Sequence, residues 1–104
     1  MLEDRSAYKS ITLTYNNLGM FYKQINKLSQ ATQFFKQILE IEEAVKADME
    51  DSDNIDEAAL DEIKREVASS LINLGSVYSS MKKHEISLNN LLRSNKLLEE
   101  VFNG

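Results

Sequence analysis

The chain has one histidine, His84, standing between Lys83 and Glu85. A general base or a metal ligand needs a second group to orient it or share the load. The neighbouring residues supply none, so His84 reads as an exposed turn residue. Carboxylates are plentiful but clustered: residues 40–66 hold 12 of the 17 acids against Lys46, Lys64 and Arg65, leaving that segment at -9 and the remainder at +4. Paired carboxylates do acid–base work only where a cleft shifts their pKa values, and a charged helical run is ordinarily a solvated face. Within "DSDNIDEAALDE", Asp51, Asp53 and Glu62 take the first, third and twelfth places of a calcium loop. Ile55 fills the fifth place and Asp56 replaces the glycine of the sharp turn, so the stretch reads as an acidic cap and turn. The absence of cysteine removes thiol catalysis, thiolate zinc sites and disulfides. No enzyme, metal site or cofactor is expected.

The elements that would position any binding chemistry are helical. With no proline, three glycines and 42% hydrophobic residues, the 104-residue chain fits one all-α domain. Tyr8, Ile11, Tyr15, Leu18, Tyr22 and Ile25 step by three and four and predict helix one, starting near Glu3 to Ser6. "INKLS" interrupts it, with Asn26 suited to a left-handed conformation and Ser29 to a cap. Helix two carries Phe34, Phe35, Ile38, Ile41, Val45 and Met49. "EDSDN" breaks the chain, where Asn54 and Glu57 have capping-box spacing. Helix three, from about Ile55, carries Leu60, Ile63, Val67, Leu71, Leu74, Tyr78 and Met81. After a turn at "KKHE", helix four directs Leu88, Leu91, Leu92, Leu98, Val101 and Phe102 inward. An up-down bundle and two stacked hairpins both fit this count.

An internal repeat separates the two. "YNNLGMFY" at 15–22 returns as "LINLGSVY" at 71–78, an offset of 56 residues. Tyr15, Leu18, Gly19, Tyr22, Ala31 and Phe35 fall against Leu71, Leu74, Gly75, Tyr78, Ser87 and Leu91. A glycine in mid-helix costs about 1 kcal/mol against alanine, so two at equivalent places argue for close helix packing, with Ala31 or Ser87 opposite. The spacing resembles the tetratricopeptide repeat, a large residue-x2-Leu-Gly-x2-Tyr followed by Ala-x3-Phe, which the first copy matches throughout and the second leaves at Ser87 and Leu91. The resemblance implies two stacked antiparallel hairpins, with repeat one at about 12–45 and repeat two at about 68–101. Residues 46–67 exceed the standard repeat and are helix-forming, so helices two and three are expected to extend into an acidic antiparallel arm. In this respect the chain is similar to long-helix variants of the kinesin light chain type.

The resemblance also implies a noncatalytic module that binds a peptide or partner helix in the groove between helices one and three. Its groove residues would be Leu13, Asn16, Asn17, Met20, Lys23 and Gln24 on helix one. On helix three they would be Ser69, Ile72, Asn73, Ser76, Ser79 and Ser80. An asparagine amide both donates and accepts, so a ladder of them can hold an extended backbone. The family's clamp for acidic tails needs a lysine before and an asparagine after the first glycine. Asn16 and Met20 stand there, so that clamp is not carried over. Two repeats are few for a stable array, which suggests an excerpt of a longer protein. A second expectation follows for helix four, whose Leu88, Leu92, Leu97, Val101 and Phe102 could mate with another copy. The net charge of -5 disfavours nucleic acid, and no apolar run approaches a membrane span. A cytoplasmic location is the expectation from these features.

Overall fold

Each apolar stripe becomes a helix in the computed structural model, which describes residues 5–103. The helices are α1 (Arg5–Gln24), α2 (Leu28–Glu50), α3 (Glu57–Ser80) and α4 (His84–Asn103). No strand occurs among the described residues. Of the expected starting residues of helix one, Glu3 and Asp4 lie outside the described part. No helix among the described residues is long and apolar enough to cross a membrane.

The two short turns have one geometry. Asn26 and Lys82, 56 residues apart like the glycines, both adopt a left-handed φ of 62°. In each turn the next amide reaches back over the helix end: Lys27 N–H donates to Tyr22 O and Lys83 N–H to Tyr78 O, both at 2.8 Å. This is the Schellman closure, in which one left-handed residue satisfies the last carbonyls of a helix and reverses the chain. It is so tight that α2 already begins at Leu28. Ser29 therefore lies inside the helix instead of capping it, and Lys27 takes the N-cap position without a side-chain bond. The longer connection also departs from expectation. Asp56, not Asn54, caps α3, its Oδ1 accepting from Ala59 N–H at 3.2 Å. Asn54 is occupied within the loop by Ser52.

Packing runs in chain order. α1 lies on α2, α2 on α3 and α3 on α4, and among the described residues no comparable contact joins α1 to α4. The chain is thus two stacked hairpins and not a closed bundle. α3 is the spine, burying Leu60, Ile63, Val67, Leu71, Leu74, Val77 and Tyr78. One apolar cluster joins Ala31, Phe35 and Ile38 to Leu74, Val77 and Tyr78. The other joins Tyr8, Val45 and Met49 to Leu60, Ile63, Val67 and Leu71. Burying each such side chain is worth roughly 1.5–3 kcal/mol. Because the second cluster includes Tyr8, with Leu97 packed against it, the extension of α2 and α3 is flanked by α1 and α4 over much of its length.

Three buried stripes differ from those read in the sequence. On the α1 stripe Tyr8 is buried, but Ile11, Leu18 and Ile25 are exposed because α2 alone covers most of that helix. On α2 the buried line is Phe35, Ile38, Glu42, Val45 and Met49, so Glu42 takes the place assigned to Ile41, which is only half-buried. On α4 the fully buried residues are Ser87 and Ser94. Leu88, Leu91, Leu92 and Phe102, expected inside, are 55%, 40%, 56% and 73% exposed. Small serines let α4 approach the α3 backbone: Ser87 Oγ donates to Gly75 O at 2.7 Å and Ser94 Oγ to Ala68 O at 3.0 Å.

Candidate functional site

A cleft of ≈ 410 Å³ opens between α1 and α3, with α2 as its floor. It exists because α1 and α3 do not pack closely; each leans on α2 and they meet through polar side chains. Tyr8 Oη donates to Glu66 Oε1 at 2.6 Å, and Lys9 Nζ bonds Glu62 Oε1 at 2.9 Å. Asn73 Nδ2 donates to Asn16 Oδ1 at 3.4 Å, and Lys23 Nζ to Ser76 Oγ at 2.7 Å. The helical rise of 1.5 Å per residue spaces these links along both helices. Leu13, Asn16, Ser69 and Asn73 all line the cleft, beside Lys9, Thr12, Ser70 and Glu66.

Other expected groove residues lie elsewhere along the same helices. Asn17, Gln24, Ser79 and Ser80 are exposed and do not line the cleft; Met20 and Ile72 are partly exposed apolar positions on its continuation. Asn17 and Asn73 occupy equivalent places in the repeat, but Asn73 reaches Asn16. On α4, Leu97 packs toward the core and Val101 is half-buried, which leaves Leu88, Leu92 and Phe102 as the outward members of that set.

The floor holds a group that the sequence reading passed over. Glu42 is only 6% exposed, and its Oε1 accepts a hydrogen bond from Ser70 Oγ at 2.5 Å. Burial pushes its carboxyl from 4.5 to about 7; the Ser70 bond pulls the other way, and the negative charge of Glu66 adds to the rise. Tyr8, buried and bonded to Glu66, is held above the ordinary phenol range and stays a donor. The signal was present: Glu42 falls four residues after Ile38 and three before Val45, in step with the buried stripe. Among the described residues no group of three or more His, Asp or Glu side chains is arranged to hold a metal ion.

The glycines set how near α1 and α3 come to their hairpin partners. A Cβ on Gly19 would stand 2.8 Å from the Phe35 ring, so the residue opposite is Phe35 and not the expected Ala31. A Cβ on Gly75 would meet Leu91, the equivalent of Phe35, at 3.3 Å. Residues 13–45 match the family model of the tetratricopeptide repeat. That hairpin is similar to a tetratricopeptide repeat. No curated protein and no solved structure matches the chain. The tetratricopeptide match ends at Val45, yet the second hairpin reproduces the first in its glycine contact and its left-handed turn residue.

Proposed function

We propose that the chain is a noncatalytic protein-interaction module whose groove between α1 and α3 takes an extended peptide or a partner helix. The tetratricopeptide repeat supports the general role, since such hairpins serve as protein-binding scaffolds. The observation that carries the groove reading is the Asn16–Asn73 pair, which spans the cleft at one end. Their mutual bond is long, at 3.4 Å, and each amide keeps donors and acceptors for a peptide backbone. Met20 and Ile72, partly exposed on the continuation of the groove, add apolar contacts, with Asn17, Gln24, Ser79 and Ser80 as polar flanks.

Selection of short random peptides displayed on phage tests this. Enriched peptides are expected to shift the backbone amide resonances of residues 12–16 and 69–73. Asn16→Ala combined with Asn73→Ala should weaken them by about tenfold or more while the helical circular dichroism signal is unchanged. Peptides that bind elsewhere, or that ignore the double variant, overturn the groove reading.

A second reading rests on α4. Leu88, Leu92 and Phe102 form an outward apolar set, suited to a second copy or to another helical hairpin. Light scattering across concentration tests self-association: a strict monomer removes that reading, and an oligomer dissolved by Leu92→Glu supports it.

A further inference from the structure

The cleft carries an unbalanced charge, and its source is geometric. Glu42 rises from α2 into the floor, and Glu66 enters from α3. The ion pairs among the described residues are Lys9–Glu62, Lys46–Glu50, Lys64–Glu100 and Arg93–Glu43, so among those residues neither Glu42 nor Glu66 has a cationic partner. Their partners are neutral hydroxyls: Ser70 on Glu42 and Tyr8 on Glu66. Lys9, the cation that lines the cleft, is drawn to Glu62 at the mouth, 2.9 Å away. A buried carboxylate without a counter-ion is costly and is relieved by a cation brought into the same desolvated space. A cleft of ≈ 410 Å³ lies within the size range of small-ligand pockets and has room for one long side chain.

We propose that the partner segment inserts a basic side chain, arginine or lysine, between Asn16 and Asn73 to meet Glu42 and Glu66 at the cleft floor. This rests on the groove reading above and names the chemistry of its occupant. The asparagines hold the peptide backbone, and the carboxylates select the side chain that descends from it. A divalent metal is a poorer occupant, because two carboxylates and a serine are too few ligands for a protein-built site. An acidic side chain is repelled by both floor groups.

Recognition of this kind is linked to pH. The groups facing Glu42 are Tyr8 and Lys9 from α1 and Glu66 and Ser70 from α3, with Glu62 paired to Lys9. Tyr8 stays neutral and Lys9 charged through the neutral range, so Glu42 is the group that changes. Its carboxyl, pushed up to about 7, is mostly neutral at pH 6 and mostly ionised at pH 8. Affinity for a basic peptide should therefore fall about tenfold from pH 8 to pH 6.

The displayed peptide selection supplies the probes: an enriched cleft-binding peptide and its counterpart with the basic residue changed to glutamine. The expected result is that enriched sequences share a lysine or arginine and that the glutamine counterpart binds at least about tenfold more weakly. In the Glu42→Gln, Glu66→Gln double variant, the two peptides should bind alike and lose their pH dependence. Cleft-binding peptides without a shared basic residue, or a preference that survives in the double variant, overturn the proposal and leave the groove reading standing. Failure to obtain any cleft-binding peptide overturns both.

Discussion

Gly19 and Gly75 hold the same place in the two hairpins, yet the helices that they admit close in different ways. In the first hairpin a large ring fills the space: Phe35 is buried against Gly19, and Phe34 sits 5.7 Å from both Tyr15 and Tyr22, stacked on the latter. In the second, Leu91 lies more loosely against Gly75 and is 40% exposed. Buried serine hydroxyls complete that closure by bonding α3 carbonyls. One hairpin is held by aromatic volume, the other by small residues and hydrogen bonds. The same backbone turn and spacing thus tolerate two solutions, because what the fold requires at the crossing is a separation of helix axes and not a particular side chain.

The largest test of this contrast is truncation of the residue facing each glycine. Phe35→Ala should cost about 3–5 kcal/mol, and Leu91→Ala about 1 kcal/mol, in urea unfolding followed by circular dichroism. Equal losses would break the contrast. The seam between the hairpins provides the next largest effect, through Glu42. Its folded pKa is raised, so the native state holds a proton that the unfolded chain has released, and stability falls as pH rises from about 4.5 to about 7. Glu42→Gln should remove that slope and raise stability at pH 8 by roughly 2–3 kcal/mol, with little change at pH 4. A flat wild-type profile over that interval would show that the seam is not strained by charge.

Alanine at the two glycines should then give opposite outcomes. At Gly19 the new methyl overlaps a fully buried ring, costing about 2–3 kcal/mol against a propensity gain of about 1 kcal/mol, a net loss of about 1–2 kcal/mol. At Gly75 the neighbour needs to yield only a few tenths of an ångström, and Leu91 has solvent to move into, so the variant should be neutral or slightly stabilising. The smallest effect is expected at Ser94→Ala, about 1 kcal/mol for a lost buried hydrogen bond. A loss above that of Phe35→Ala would reverse the contrast.

The helices, the repeat offset and the left-handed Asn26 were legible because spacing and backbone chemistry speak directly in the sequence. What escaped reading were two polar residues on buried stripes, Ser94 and Glu42, whereas the repeat had already placed Ser87 opposite Gly75. Ser87 and Ser94 continue a regular step of α4 with Leu91, Leu98 and Val101, and Glu42 continues that of α2. A search for apolar letters shifts the face of α4 toward Leu88 and Leu92 and that of α2 toward Ile41. Of the cleft, Leu13, Asn16, Ser69 and Asn73 could be placed from the repeat, whereas Tyr8, Glu42 and Glu66 could not. Their meeting depends on the extension beyond the standard repeat, for which spacing gives no register between α1 and α3.

The polar links across the cleft have a mechanical consequence. Besides the Tyr8–Glu66 bond, Lys9–Glu62, Asn16–Asn73 and Lys23–Ser76 are rungs joining α1 to α3, and each of these three can be exchanged for bonds to water at little net cost. Tyr8, bonded to Glu66 and buried in the cluster with Leu60, Ile63 and Val67, holds one end of the seam, and the rungs beyond it can part with little exposure of apolar area. The two hairpins therefore behave as covers of a book whose spine is the α2–α3 contact, and the width of the opening is a compliant coordinate, stiffer at low salt, where Lys9 and Glu62 attract more strongly.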